Sequence, residues 1–163
     1  VTHGDVHDSA AVKRAMDGCE AVIDTLGGKT PFLKTDLESS AARVVLAAMK
    51  EVGAKRLVAI SVLGAGDSGA QAPFWYEHLF LPTFLHGALP DKNEMEAEVK
   101  ASGVDWVLVR PPILTDKEAT GAVKVVTGSD IAHTITRADL AQFLVDQLGT
   151  DTYLGQAVVI ANS

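Results

Sequence analysis

Cysteine is almost absent from this chain. Cys19 is the only one in 163 residues, so no intrachain disulfide can form and no cysteine-built metal site can be assembled. Histidine does not fill the place. Of the five histidines, His3 and His7 stand one helical turn apart, but across a strand-to-turn junction, and no metal site is expected. No apolar run approaches the roughly 20 residues that span a bilayer. No signal-peptide pattern opens the chain. Positive charge is scarce too: 14 Lys and Arg stand against 21 Asp and Glu, for a formal net charge of -7. That excludes the clustered basic footprint of a nucleic-acid binder. It does not exclude a phosphate ligand, which backbone N–H groups and a helix terminus can hold. The expectation is a cytoplasmic chain with neither nucleic acid nor membrane as partner. What is present is ordinary for a globular protein, with 47% hydrophobic and 21% charged residues, and the length suits a single domain over 1–163.

The apolar pattern alternates between two periods. Val1–Asp5 reads as the end of a strand. Asp8 or Ser9 caps a helix through about Met16, with Gly18 after it. Ala21–Leu26 is a short buried strand that stops at Gly27-Gly28. Asp36–Val52 carries apolar residues on one helical face and ends at Gly53. Arg56–Leu63 is a continuous apolar strand. Residues 64–90 read as a long loop with glycines, prolines and aromatics, and such loops are commonly functional. A polar helix from Lys92 ends at Gly103, which suits the left-handed position after a helix. The strand Trp106–Val109 follows and halts at Pro111-Pro112, since a proline drives its predecessor out of the helical region. Val123–Val126 is a short strand, Thr136 caps a helix over Arg137–Leu148, and Ala157–Ala161 is the last strand. Apolar strands alternating with helices predict a doubly wound, mostly parallel sheet covered on both faces. Ligands of such sheets bind beyond the carboxyl ends of the strands, where Gly27-Gly28 and Arg110-Pro111-Pro112-Ile113 lie.

Several of these pieces fall in a familiar order: Gly4-Asp5-Val6 with Asp8, Ala21-Val22-Ile23, Leu26-Gly27-Gly28, the Asp36–Lys50 helix, Ser61, Lys92 with Glu96, and Ser102-Gly103 before Val107–Pro112. Together they resemble the atypical short-chain dehydrogenase/reductase family, of the NAD(P)H-binding type that includes NmrA-like and biliverdin reductase B/flavin reductase-like proteins. The resemblance implies a Rossmann-like fold and NADP or NAD as cofactor. It also marks a gap. Members begin with a strand, a glycine-rich turn, a helix and a second strand, and this chain has no counterpart. In the implied order 3-2-1-4-5-6, Val1–Asp5 would be strand 3 and Ala21–Leu26 strand 4, with two strands missing between them. A fragment of a longer parent is the expectation, or a partner chain that fills the gap.

The resemblance assigns roles, and each has a plainer counterpart. Asp5 and Val6 would meet the adenine amino group, or Asp5 is a turn residue. Leu26, Gly27 and Gly28 would touch the adenosine and phosphate side, glycine letting backbone approach closely; otherwise they are a strand-to-loop junction. Ser61 would position the substrate carbonyl or the nicotinamide amide, or be a buried serine bonded to backbone. Lys92 would hold ribose hydroxyls, or form a surface pair with Glu96 one turn on. Pro111, Pro112 and Ile113 would line the nicotinamide pocket. Tyr76, His78 and His86 in the long loop are candidate proton donors or solvated loop residues. Phe74, Trp75, Phe80 and Phe84 could stack on a flat substrate or pack the loop. Gly64-Ala65-Gly66-Asp67-Ser68-Gly69 spells G-x-G-x-x-G after a strand, but Pro73 and the aromatics interrupt the helix that a dinucleotide turn requires. The Arg137–Leu140 segment reads as structural.

One departure bears on chemistry. Conventional members place a catalytic tyrosine four residues before the lysine, and here that position is Ala88. The expected function is NAD(P)H-dependent hydride transfer to a small flat acceptor such as a flavin or quinone, which can take its proton from solvent. The alternative is a non-catalytic, NmrA-like dinucleotide sensor. A homo-oligomer is compatible with either, and a sugar-nucleotide epimerase is disfavoured by the little chain left after Pro112.

Overall fold

The computed structural model describes residues 1–28 and 32–163. Helix α1 (Ser9–Met16) starts at Asp8, whose carboxylate accepts from the N–H groups of Ala10 and Ala11. Strand β1 (Ala21–Asp24) leads to α2 (Leu37–Val52), which ends on Gly53 at φ 79°, its N–H donating to Met49 O. A left-handed residue at that point favours glycine. Strand β2 (Arg56–Ile60), helix α3 (Ala88–Ala101) and strand β3 (Asp105–Arg110) follow. Then come β4 (Ile113–Thr115), β5 (Val123–Val126), β6 (Thr134–Thr136), α4 (Arg137–Asp146) and β7 (Gln156–Asn162).

The main sheet runs β1-β2-β3-β7-β5. The first four strands are parallel and β5 pairs antiparallel with β7 at the edge. Successive side chains of a strand face opposite sides, and β2 shows the division. Leu57 and Ala59 pack with Val45, Leu46 and Met49 of α2 and Met95 and Val99 of α3. Val58, between them, packs with Leu140 and Leu144 of α4. Helices therefore cover both faces, as the alternation predicts. The result is a Rossmann-like α/β sheet.

Four expectations need correction. Val1–Asp5 is exposed and forms no strand. A strand exists only by pairing, and in the implied order this segment's neighbours are strands that the chain does not supply. Residues 64–90 are not one loop: Ser68–Gln71 is a 3-10 turn, Tyr76–Leu85 is π-helical, and α3 begins at Ala88 rather than at Lys92. Pro90 lies in the first turn of α3, where an N–H has no intrahelical partner to lose. The three-residue strands β4 and β6 form a small parallel pair, too short to leave a periodic signal. Helix α4 stops at Asp146, two residues early.

Candidate functional site

A cleft of about 570 Å³ opens at the carboxyl ends of β1, β2 and β3. Its walls are Thr25–Gly28 after β1, Ile60–Val62 at the end of β2, and Pro111-Pro112 after β3. Glu38 of α2, Leu85, Ala88, Leu89 and Lys92 close one side, and Leu114 with Arg137, Leu140, Ala141 and Leu144 the other. Seven of the expected site residues thus meet around one opening: Leu26, Gly27, Gly28, Ser61, Lys92, Pro111 and Pro112. A Cβ built on Gly27 or Gly28 meets nothing within 4 Å among the described residues, which leaves their backbone open to a close approach. The Ser61 hydroxyl is buried and has no hydrogen-bond partner among the described residues. Such a group costs free energy unless something satisfies it, which makes it a candidate for ligand contact. Ala88 puts a methyl into the cleft wall where conventional members carry tyrosine.

In place of a surface Lys92–Glu96 pair there are two buried ion pairs, Lys92–Glu38 and Arg110–Glu96, of which only the first lines the cleft. Lys92 and Glu96 lie one turn apart on α3 but face different partners. Lys92 pairs with Glu38 and donates to Ile60 O at 2.8 Å. Glu96 takes a two-pronged contact from Arg110, Nε to Oε1 at 2.8 Å and Nη2 to Oε2 at 2.7 Å, and Lys100 Nζ adds a bond at 2.9 Å. Burial alone would raise the Glu96 carboxyl; the Arg110 and Lys100 bonds overcome it and hold it at about 2. The Ser61 hydroxyl neighbours Glu96 but does not meet it in hydrogen-bonding geometry. Burial raises the Glu38 carboxyl, Asp91 and Asp24 add to the rise, and Lys92 opposes it.

The glycine-rich loop is held by the same network. Arg110 Nη1 donates to Asp67 at 2.6 Å, and Gly66 N donates to Asn93 Oδ1 at 2.8 Å. Gly66 sits at φ 57°, and a Cβ there would lie 2.3 Å from Arg110 Nη2. Glycine is required by a close protein contact, and the loop does not line the cleft. Asp91, the acidic residue about 20 positions on from the loop, caps the start of α2.

The other expected residues lie elsewhere. Asp5 is exposed and accepts from the His7 N–H at 2.9 Å; with Val6 it borders a separate depression beside α1. Ile113 is in β4 and packs against the cluster around Leu63 and Tyr76. Tyr76 is in that core, donating to Leu63 O at 3.3 Å, and burial pushes its hydroxyl up to about 12. His78 stacks on Phe74 at 4.2 Å, and His86 contacts Thr83 O. Tyr76, Phe80 and Phe84 stack in series along the π-helical segment, and none of them lines the cleft. Of the Arg137–Leu140 segment, Arg137 and Leu140 line the cleft. Glu38 was not among the sequence candidates. Its only signal is an acidic residue in the first turn of a helix, which commonly reflects the helix dipole alone.

Among the described residues no group of His, Cys, Asp and Glu is arranged to hold a metal ion. No helix described is long and apolar enough to cross a membrane.

Comparison with known proteins bears on the same cleft. A family profile described as NAD(P)H-binding matches residues 1–151. The UPF0659 protein YMR090W of Saccharomyces cerevisiae is 27% identical over 142 residues, 82% of this chain and 58% of that protein. The uncharacterized sugar epimerase YhfK of Bacillus subtilis is 30% identical over 142 residues, 84% of this chain and 60% of that one. The chain thus spans 58% and 60% of the length of these two curated relatives. Among solved structures, ChuY of Escherichia coli O157:H7, described as an anaerobillin reductase, superposes with a TM-score of 0.78 at 23% identity, over 99% of this chain and 74% of that one. A short-chain dehydrogenase/reductase of Veillonella parvula in complex with NADP gives 0.79 at 10% identity, over 98% and 70%. At these identities the two structures speak to the fold.

Proposed function

The chain belongs to the NAD(P)H-binding family, and from that premise we propose that it forms the nicotinamide and ribose side of a reductase that passes hydride to a small flat acceptor such as a flavin or quinone. The observation that carries the reading is the cleft itself. Gly27, Gly28, Ser61, Lys92, Pro111 and Pro112, from separate parts of the chain, meet at the carboxyl ends of three parallel strands. The open backbone at Gly27-Gly28 and the unpartnered Ser61 hydroxyl fit the sugar–phosphate and nicotinamide parts of such a ligand.

When bound, the dinucleotide supplies a hydride from its reduced ring to the acceptor. The chain's own residues orient and enclose. The Ser61 hydroxyl donates to a carbonyl of the nicotinamide amide or of the acceptor. The Lys92 ammonium holds ribose hydroxyls. Leu85, Leu89, Leu114 and Leu140 exclude water from the reacting face. Ala88 offers no proton, so the acceptor takes one from solvent, which suits a flavin or quinone better than an isolated ketone.

Ala88 favours a second reading as well, an NmrA-like sensor that binds the dinucleotide without consuming it. The two part company in one assay. The full natural protein, given NADPH and a flavin or quinone, oxidises NADPH under the first reading, and a Ser61→Ala/Lys92→Ala double variant loses most of that rate. Binding without oxidation supports the sensor. Undiminished turnover in the double variant removes this site from the account.

A further inference from the structure

Two adjacent residues of α3 grip the same turn of α2. Asp91 accepts from the N–H groups of Glu38 and Ser39, both at 2.9 Å. It supplies the cap that Asp36, the residue before the helix, does not. Such orphan N–H groups need a partner when buried. Glu38 returns the contact through its side chain, pairing with Lys92, the next residue after Asp91. Glu38 and Lys92 are 5% and 7% exposed, and both line the cleft.

An ammonium has three hydrogens to donate. Glu38 and the Ile60 carbonyl account for two directions. No third acceptor for Lys92 stands among the described residues. A free lysine would swing its long stem toward water. Here both ends of its reach are fixed, by a helix turn that is itself capped and by the last residue of β2. A buried ammonium without a counter-charge is strongly disfavoured, so Glu38 also keeps the charge in place. The groups facing Glu38 are Lys92, Asp91 and Asp24, and burial raises its carboxyl with help from the two aspartates against the opposing pull of Lys92. Neither partner is comfortable in this wall without the other.

We propose that Glu38 is a positioning residue, which acts through Lys92 by fixing the ammonium so that its remaining hydrogen points at a ligand hydroxyl pair in the cleft. The inference rests on the dinucleotide reading above, where that pair belongs to ribose. Because the two side chains together are neutral, the cleft floor recognises a hydroxyl by direction rather than a phosphate by charge.

The test is a fluorescence titration of the full natural protein with NADPH, run beside urea denaturation, for wild type, Glu38→Gln, Lys92→Met and the double variant. Glu38→Gln is expected to weaken binding about tenfold in protein that is still folded, the scale of one lost charge-assisted hydrogen bond. Lys92→Met is expected to weaken it as much. The double variant is expected to bind no worse than Lys92→Met, because Glu38 acts only through Lys92. That comparison stands even if Glu38→Gln alone folds poorly, since the double variant leaves no unpaired charge. Glu38→Gln with wild-type affinity and lowered stability makes Glu38 a structural residue and overturns the proposal. So do additive losses in the double variant. Failure of the wild type to bind NADPH removes the dinucleotide reading and the proposal with it, an outcome distinct from parity between wild type and variant.

Discussion

Ser61 and Arg110 sit near each other at the strand ends, and their substitution should have opposite consequences. Ser61→Ala removes a hydroxyl with no partner among the described residues, so no hydrogen bond is lost and stability should stay within about 0.5 kcal/mol of wild type. Cofactor-dependent turnover should fall. A urea midpoint that drops sharply would show that the hydroxyl is satisfied after all. Arg110→Met does the reverse. It leaves Glu96, 2% exposed, with Lys100 as its remaining charged partner, and should cost about 3 kcal/mol, the scale of a broken buried pair. An Arg110→Met protein that unfolds at the wild-type urea midpoint would contradict the network. Ser61 was legible in the sequence because a polar residue ended an apolar run. Glu38 was not, because its partner is on another helix and only the folded packing of α2 on α3 brings them together. The Lys92–Glu96 pairing failed for the same reason: spacing put the two one turn apart, but tertiary partners on α2 and β3 outcompeted the neighbour.

At the scale of elements, the Gly64–Gly69 loop tests whether the close contact or the dinucleotide pattern explains its glycines. Gly66→Ala combines a left-handed φ of 57° with a Cβ 2.3 Å from Arg110 Nη2. It should destabilise by about 1–3 kcal/mol and impair binding only through that loss. A variant with unchanged stability but abolished NADPH affinity would return the loop to the ligand. Asp139 anchors another connection. It accepts from the N–H groups of Thr120 and Gly121 at 2.9 and 3.0 Å, and from Thr136 Oγ1 and Asn162 Nδ2 at 2.8 and 2.7 Å. The Thr120 N–H is foremost in holding its carboxyl well below the usual range. Asp139→Ala should therefore speed proteolytic nicking around residues 116–122 before it affects the sheet; nicking no faster than wild type would deny Asp139 that role. Strands β1, β2, β3, β5 and β7 were readable because their apolar runs are long enough to show. The 64–90 region was not, because Pro82, Gly87 and Pro90 signal a loop whatever the chain does around them.

At the scale of the molecule, acid should unfold the protein through its buried carboxylates. Glu96 titrates at about 2 in the fold against an ordinary 4.5. A lowered folded value means that its stabilisation is complete above 4.5 and is lost as pH falls toward 2. Asp139 and Asp67 are also lowered and act in the same direction. Glu38 is raised and acts oppositely, its burden easing as pH falls. Stability should decline from pH 4.5 downward, and Glu96→Gln should flatten that decline. Parallel curves for the two proteins would mean that Glu96 is not held as described. The doubly wound order was visible in the alternation of apolar periods, whereas the separation of Asp5 and Ile113 from the cleft needed three dimensions. The central claim is that the cleft beyond β1, β2 and β3 is the dinucleotide site. Hydrogen–deuterium exchange of the full natural protein with and without NADPH tests it most directly. Slower exchange at Thr25–Gly28 and Ser61–Val62 is the predicted result, and protection confined to other segments, or none at all, would contradict it.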